Sequence, residues 1–325
     1  MMQKEVQEFL GQDWTHVQEL IRGALATDIA LLNETNDNLL SHSGKMLRPV
    51  LTLLMARAVG ESANECSCRY AAATELLHNA TLLHDDVADE SSERRGAPTV
   101  NAILGAPAAV LVGDFWLARA VEMVLAATSD KHNEVVTLFS KTLVDLAEGE
   151  MLQMEKAVNT DTTEDDYFRI ISCKTASLFE AACESAAVSV NASAEFRKAA
   201  HDYAHYAGVA FQIKDDILDY AGTETLGKPL GIDLKEQKIT LPLLCAMEGS
   251  PREAEIRAMV RDIHDHPEYA GSVRAFVDER GGVEMAADRL DGFIRKAEES
   301  LDILPDSTAK DFLLQLVRFN AFRNK

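Results

Sequence analysis

Prolines are few in this chain and helix formers are many. Eight Pro are spread over 325 residues. Pro49, Pro98, Pro107, Pro251, Pro267 and Pro305 can each stand at a helix start, where a missing N–H costs little. Between them run long stretches rich in Ala, Leu, Glu and Met, residues that lose little on entering a helix. Runs of Val, Ile and Thr with period-two alternation are missing, so strands have no evident place. The pattern predicts helices near 14–40, 46–60, 64–92, 107–128, 131–157, 164–190, 194–221, 235–249, 252–265, 267–280, 282–303 and 306–322. Several are long and carry Ala-rich apolar stripes, which suits one large bundle whose central helices are buried on most sides. No linker, low-complexity tract or repeat interrupts the pattern. The expectation is an all-α chain forming a single domain over residues 1–325.

Charge narrows the function. The chain carries 32 Lys and Arg against 53 Asp and Glu, a formal charge of −21. With no basic stripe to displace counterions, nucleic acid is excluded as the main partner, and docking on anionic lipid is disfavoured. The longest apolar run, Ala102 to Gly113, is 12 residues and contains Pro107, whereas a spanning helix needs about 20. The opening MMQKEVQEFLGQDW lacks the apolar stretch of a signal peptide. Five cysteines (Cys66, Cys68, Cys173, Cys183, Cys245) without a second pair at zinc-site spacing are read as reduced thiols of a cytoplasmic protein.

Two segments match each other. Residues 82–90 read LLHDDVADE and residues 212–220 read QIKDDILDY. Both hold Asp-Asp-x-x-Asp: Asp85, Asp86 and Asp89, then Asp215, Asp216 and Asp219, each preceded by an apolar helical stretch. Residues i and i+4 share a helix face with Cβ atoms about 5–6 Å apart. Asp85 with Asp89, and Asp215 with Asp219, therefore each form a two-pronged oxygen claw. Clustered like charges destabilise a helix unless something offsets them. All-oxygen donors with no His or Cys in the claw favour Mg²⁺ over zinc. A solvated acidic face is the plain alternative, and two such clusters in matching helical contexts argue against it.

Basic residues gather near these acids in an otherwise acidic chain. Gly44, Lys45 and Arg48 open a predicted helix, whose N–H groups and cations suit an anion. Arg94 and Arg95 follow the first acidic cluster, Lys174 precedes Thr175 in a segment of small and apolar residues, and Lys228 and Lys238 flank a Gly-Pro-Gly loop. A diphosphate explains both sets: guanidinium forks grip its oxygens while a metal bridges it to aspartate. Glu75-x-x-His78 matches half of a di-iron bundle motif. Without a second such pair it is read as chance.

The landmarks GKxxRP, LLHDDVxD, RRGxPT, VLVGDF, GExLQ (Gly149–Gln153), KTAxLF, FQIxDDxLDY and GKPxGxDL followed by Lys238 cover nearly the whole chain. With them the sequence resembles the trans-polyprenyl diphosphate synthase family, and is most similar to its long-chain, octaprenyl-type members. The resemblance implies an all-α bundle of the isoprenoid synthase type around a deep central cleft, usually a homodimer. It implies successive 1'-4 condensation of isopentenyl diphosphate onto an allylic diphosphate such as farnesyl diphosphate. Carried over motif by motif, Asp85, Asp86 and Asp89 would hold two Mg²⁺ on the allylic diphosphate, and Asp215, with Asp216 and Asp219 nearby, a third; Mn²⁺ could replace Mg²⁺. Arg94, Lys174 and Lys238 would contact the allylic diphosphate, with Lys228 beside them. Gly44, Lys45, Arg48, His78 and Arg95 would cradle isopentenyl diphosphate, with Phe211 and Gln212 over its carbon skeleton. Thr175 and Gln212 would offer oxygens to the developing cation.

In the family, bulky aromatics four and five residues before the first Asp block the product tunnel. Here those positions are Thr81 and Ala80, with Leu77 the next step down, so a deep tunnel and a C35–C45 product for a quinone side chain are expected. Three other readings are a short-chain C15–C20 synthase, a non-catalytic subunit that modulates a partner synthase, and a terpene cyclase of the same fold. Both intact acidic motifs argue against the last two.

Overall fold

The computed structural model describes residues 2–60, 62–127, 132–221 and 231–322. In chain order the elements begin with α1 (Met2–Leu10), α2 (Gln12–Leu25), α3 (Ala30–Ser41), α4 (Leu47–Gly60) and α5 (Glu65–Ala88). A small hairpin, β1 (Glu93–Arg94) and β2 (Ala97–Pro98), precedes α6 (Val100–Leu104), α7 (Ala106–Leu125) and α8 (His132–Asn159). Then come α9 (Glu164–Ile171), a π-helical stretch Ser172–Ala176, α10 (Ser177–Ser189) and α11 (Ala194–Ala221). The chain ends with α12 (Ile232–Lys235), α13 (Leu241–Met247), α14 (Glu253–Arg261), α15 (Tyr269–Arg280), α16 (Gly282–Ser300) and α17 (Thr308–Phe322). The all-α expectation stands, with the two-residue strands as its one addition among the described residues.

The chain packs as two compact units. One comprises Met1–Ser140, Ala181–Ala200 and Leu304–Leu313; the other comprises Lys141–Glu180, His201–Ile303 and Leu314–Lys325. In the first unit α5 packs along α7. A run of small side chains, Ala71, Ala72, Ala73 and Ala80, is buried on α5, and Ala109, Gly113 and Ala120 are buried on α7. Small side chains let the helix backbones approach, and Tyr70, Leu76 and Leu77 on α5 are buried as well. A fully buried Leu contributes about 1.5–3 kcal/mol. The Trp116 indole N–H, buried in this core, donates to Asn36 Oδ1 at 2.9 Å, as a buried polar atom requires. The start of α5 is fixed by a capping box between Asn64 and Ser67. In the second unit α13 packs on α16, and a capping box of Thr163 with Asp166 starts α9.

Several predicted helices are divided. The span 14–40 breaks into α2 and α3 because Ala26 turns extended. The break is held by side chains: Asn33 Oδ1 accepts from the Thr27 N–H at 3.1 Å, and Asn36 Nδ2 donates to the Leu25 carbonyl at 3.0 Å. Such Asn bonds offer the backbone an alternative to continuing the helix. The span 235–249 is replaced by α12 and α13, with Thr240 extended between them. The span 164–190 keeps its length and contains the π-helical stretch. No helix among the described residues is long and apolar enough to cross a membrane.

Candidate active site

In the first unit, α5 carries Asp85 and Asp86 in its last turn and stops at Asp89. Asp86 is buried and accepts from Arg94 Nε at 2.6 Å. Burial raises the proton affinity of the Asp86 carboxyl, and the Arg94 charge and hydrogen bond oppose that rise. The hairpin places the arginine. Arg94 stands opposite Ala97, and the two residues between them, Arg95 and Gly96, both have positive φ (53° and 78°). Positive φ at both central positions is the type I′ turn, which matches strand twist and favours Gly at the second position. Thr99 closes the loop: its hydroxyl donates to the Ser91 carbonyl at 2.7 Å and accepts from the Ala102 N–H at 3.1 Å, capping α6. The motif RRGxPT is thus a hairpin and a cap that hold two guanidinium groups beside the acidic turn.

A cationic patch belongs to the same unit. Arg95 Nη1 donates to the His42 carbonyl at 3.2 Å, and its guanidinium covers Gly44, where a Cβ would lie 3.0 Å from Cζ. Lys45 is exposed and Arg48 half-buried. His78 is held neutral, its proton affinity lowered first by burial and then by the charges of Arg48, Arg95 and Arg94. Glu75 is buried beneath these cations. Burial raises its carboxyl, Arg48 and Arg95 act against that, and Asn79 Nδ2 donates to its Oε1 at 3.1 Å. Three guanidinium groups around a neutral imidazole make a site suited to a polyanion.

The second unit contains a cavity of about 170 Å³ whose lining includes Lys174, Thr175, Gln212, Asp216, Asp233 and Lys238. Four of its side chains form hydrogen bonds that converge on Asp216. The Thr175 hydroxyl donates to Gln212 Oε1 at 2.7 Å, Gln212 Nε2 donates to Asp216 Oδ1 at 2.9 Å, and the Tyr167 hydroxyl donates to Asp216 Oδ2 at 2.6 Å. Burial pushes the Asp216 carboxyl up to about 7, against the pull of its two hydrogen bonds. Asp219 spends its carboxylate on α12, accepting from the Ile232 and Asp233 N–H groups at 3.1 and 3.3 Å. Lys174 pairs with Glu150, and Lys238 Nζ lies 2.5 Å from Glu236. Lys174 and Thr175 sit in the π-helical stretch, a local irregularity frequent at functional sites. That stretch approaches α8 at Gly149, where a Cβ would lie 2.7 Å from the Cys173 Cβ. The motif GExLQ therefore supplies a close approach (Gly149), a partner for Lys174 (Glu150) and a lining residue (Gln153).

A family model described as Polyprenyl synthetase matches residues 29–278. The chain belongs to the polyprenyl synthetase family. It is 39% identical to the octaprenyl diphosphate synthase of Escherichia coli (strain K12) over 324 residues, covering 99% of each. The crystal structure of a decaprenyl diphosphate synthase from Rhodobacter capsulatus matches with a TM-score of 0.91 at 35% identity, covering 99% of each chain. That of a polyprenyl synthase from Caulobacter crescentus CB15, complexed with calcium and isoprenyl diphosphate, matches with a TM-score of 0.91 at 35% identity, covering 99% of this chain and 98% of that one. As a polyprenyl diphosphate synthase the chain is a prenyltransferase with the isoprenoid synthase fold.

Within the synthase the remaining residues singled out in the sequence take these places. Asp215 and Phe211 are half-buried on α11, the Phe211 ring 5.6 Å from that of Phe179. Leu77 and Ala80 are buried on α5, and half-buried Thr81 donates its hydroxyl to the His78 carbonyl at 2.8 Å. Lys228 lies outside the described residues. Tyr167, Asp233, Glu150 and Glu75 were not singled out as site residues. Tyr167 stands in no motif, and its partner Asp216 lies on another element, 49 residues away. Glu150 stands in GExLQ, Asp233 is the acid of GKPxGxDL and Glu75 opens Glu75-x-x-His78, so those motifs could have pointed to them.

Proposed function

We propose that the synthase condenses isopentenyl diphosphate repeatedly onto an allylic diphosphate, farnesyl diphosphate or similar, to make an all-trans polyprenyl diphosphate of C35–C45 for a quinone side chain. The observation that carries this reading is that each acidic motif lies in a unit with its own cations: Asp85, Asp86 and Asp89 with Arg94, and Asp215, Asp216 and Asp219 with Lys174 and Lys238. The reading treats residues 1–325 as one synthase domain working in the cytoplasm.

The donor set fits a hard divalent cation. All six carboxylates are oxygen donors, and His84, next to Asp85, is turned to Asp114, with Nε2 3.3 Å from Oδ1. Mg²⁺ suits such donors and keeps positions for substrate phosphate; three ions are proposed, with Mn²⁺ able to replace them. Asp86 and Asp219 would meet a metal by sharing oxygens that already accept from Arg94 and from α12, which carboxylate lone pairs allow. Bound there, the cation stabilises the charge on departing diphosphate.

The chain's own residues do the rest. Arg94, Lys174, Lys238 and Lys228 grip the allylic diphosphate, and preorganised cations favour the charge that develops as its C–O bond breaks. Gly44, Lys45, Arg48, His78 and Arg95 hold isopentenyl diphosphate so that attack becomes local. Thr175 donates its proton to Gln212, which leaves the threonine oxygen's lone pairs as acceptors for developing positive charge. Exclusion of water keeps the cation from becoming an alcohol.

Small side chains at Ala80 and Thr81 support the long product. A homodimer is proposed because α7 exposes Leu111 and Leu125, 68% and 54% accessible, a face that suits a second copy of this chain. The test is Asp85→Ala with farnesyl diphosphate, Mg²⁺ and labelled isopentenyl diphosphate. Turnover falls by orders of magnitude while the protein stays folded, and wild-type products end near seven to nine isoprene units. Unchanged turnover in the variant overturns the site. A wild-type ladder that stops at three or four units favours the short-chain reading.

A further inference from the structure

Tyr167 belongs to none of the sequence motifs, yet its hydroxyl meets the second acidic motif. It is 3% exposed on α9, and it donates to Asp216 Oδ2 at 2.6 Å while Gln212 donates to the other oxygen at 2.9 Å. We infer that Tyr167 is a positioning residue of the synthase: with Gln212 it fixes the plane of the Asp216 carboxylate for the metal–diphosphate complex. The inference rests on the proposed reading of Asp215, Asp216 and Asp219 as the acids that face a metal.

The physical argument begins with the carboxylate. The last torsion of an Asp side chain is broad, so one donor leaves the carboxylate free to turn. Two donors on its two oxygens remove that freedom. Those donors come from different places, α9 and one turn back on α11, and the line continues through Gln212 to the Thr175 hydroxyl. All four side chains line the same cavity as Lys174 and Lys238. A tyrosine serving only the core needs one neutral acceptor. Here it is spent on a carboxylate that is itself 4% exposed, a costly arrangement to keep for packing alone. Partners that orient metal-facing carboxylates are worth about 10–100-fold in metal affinity or activity when removed.

Tyr167→Phe keeps the ring and its edge contact with Phe168 at 5.3 Å and deletes the donor. The probes are Mn²⁺ with inorganic diphosphate, followed by calorimetry and by the Mn²⁺ spin-resonance signal. The expected result is metal binding weakened about 10–100-fold, turnover restored in part by raised Mg²⁺, and an unchanged KM for isopentenyl diphosphate. In an Asp216→Asn background the same change has no further effect on metal binding. Metal binding and Mg²⁺ dependence equal to wild type, with only a lower Tm, overturn the inference. Asp215→Ala separates the two layers. Loss of metal binding there with none in Tyr167→Phe overturns the positioning role alone; unchanged binding in both overturns the reading beneath it as well.

Discussion

Arg94 donates its Nε–H to Asp86 Oδ1 across 2.6 Å, and so ties a two-residue strand to the last turn of α5. The acceptor is buried and the donor one-third exposed, with side-chain accessibilities of 6% and 35%. Arg94→Gln leaves a buried carboxylate without its charged partner. The expected loss of stability is about 1–3 kcal/mol, read from urea unfolding at pH 7. Asp86→Asn in the same chain recovers most of it, because a neutral amide needs no counter-charge. Equal losses for Arg94→Gln in the wild-type and Asp86→Asn backgrounds would show that the pair contributes nothing.

Asp216 sets a pH dependence of stability in metal-free protein. Its folded carboxyl titrates at about 7, above the unfolded value of about 3.9. The folded state therefore holds the extra proton between these values. Its contribution is full below about pH 4 and is lost as pH rises through about 7. Nearby Asp233 is pushed up as well, by burial and by Asp216, and acts in the same direction. With EDTA present, wild-type Tm is expected to fall from pH 5 to pH 8 more steeply than that of Asp216→Asn. Any constant offset from rearranged amide hydrogen bonds cancels in the slope. Parallel curves would remove Asp216 as the cause.

Gly113 is required by His84. A Cβ at Gly113 would overlap His84 Nε2 and lie 2.6 Å from its Cδ2, and His84 precedes Asp85. Gly113→Ala must push α7 from α5 or turn the imidazole out of its contact with Asp114. Overpacking of this kind costs about 1–3 kcal/mol, seen as a lower Tm. His84→Ala in the Gly113→Ala chain makes room for the methyl group and restores part of the loss; no recovery would place the strain elsewhere.

The long helices were legible because periodicity and composition agree along them. The predicted span 194–221 coincides with α11, and 282–303 overshoots α16 by three residues. Elements held by other forces were not. The hairpin of Arg94 and Arg95 is too short to show alternation, and the π-helical stretch at Lys174 has the composition of an ordinary helix. The helix Met2–Leu10 was passed over, although Val6 and Leu10 are buried, because Gly11 interrupts the pattern. The acidic motifs and their cations were readable as local clusters. Tyr167 was not, since its partner Asp216 lies 49 residues away. Helical spacing puts Asp219 on one face with Asp215, but it says nothing of the N–H partners of Asp219 at Ile232 and Asp233, 13 and 14 residues further on.

Ala80 supplies the last test, of product length. It is 1% exposed on α5, and Leu77, one turn earlier, is equally buried. A phenyl ring at 80 lies one to two turns, or about 5–8 Å along the axis, from the Asp85 claw. On the proposed reading it stands where a growing chain of several isoprene units would pass, away from the diphosphate ligands. Each CH₂ of a buried product contributes about 0.8 kcal/mol, so an open path also predicts slow release of the wild-type product. Ala80→Phe is expected to shorten the product toward three or four isoprene units, to speed release, and to keep the rate of the first condensation within a few-fold. Sizing the dephosphorylated products from single-turnover and steady-state incubations checks all three. A Tm close to wild type shows that the ring has entered existing space. An unshortened ladder from folded protein would move the floor of the product path away from Ala80 and toward Leu77 or a neighbouring helix.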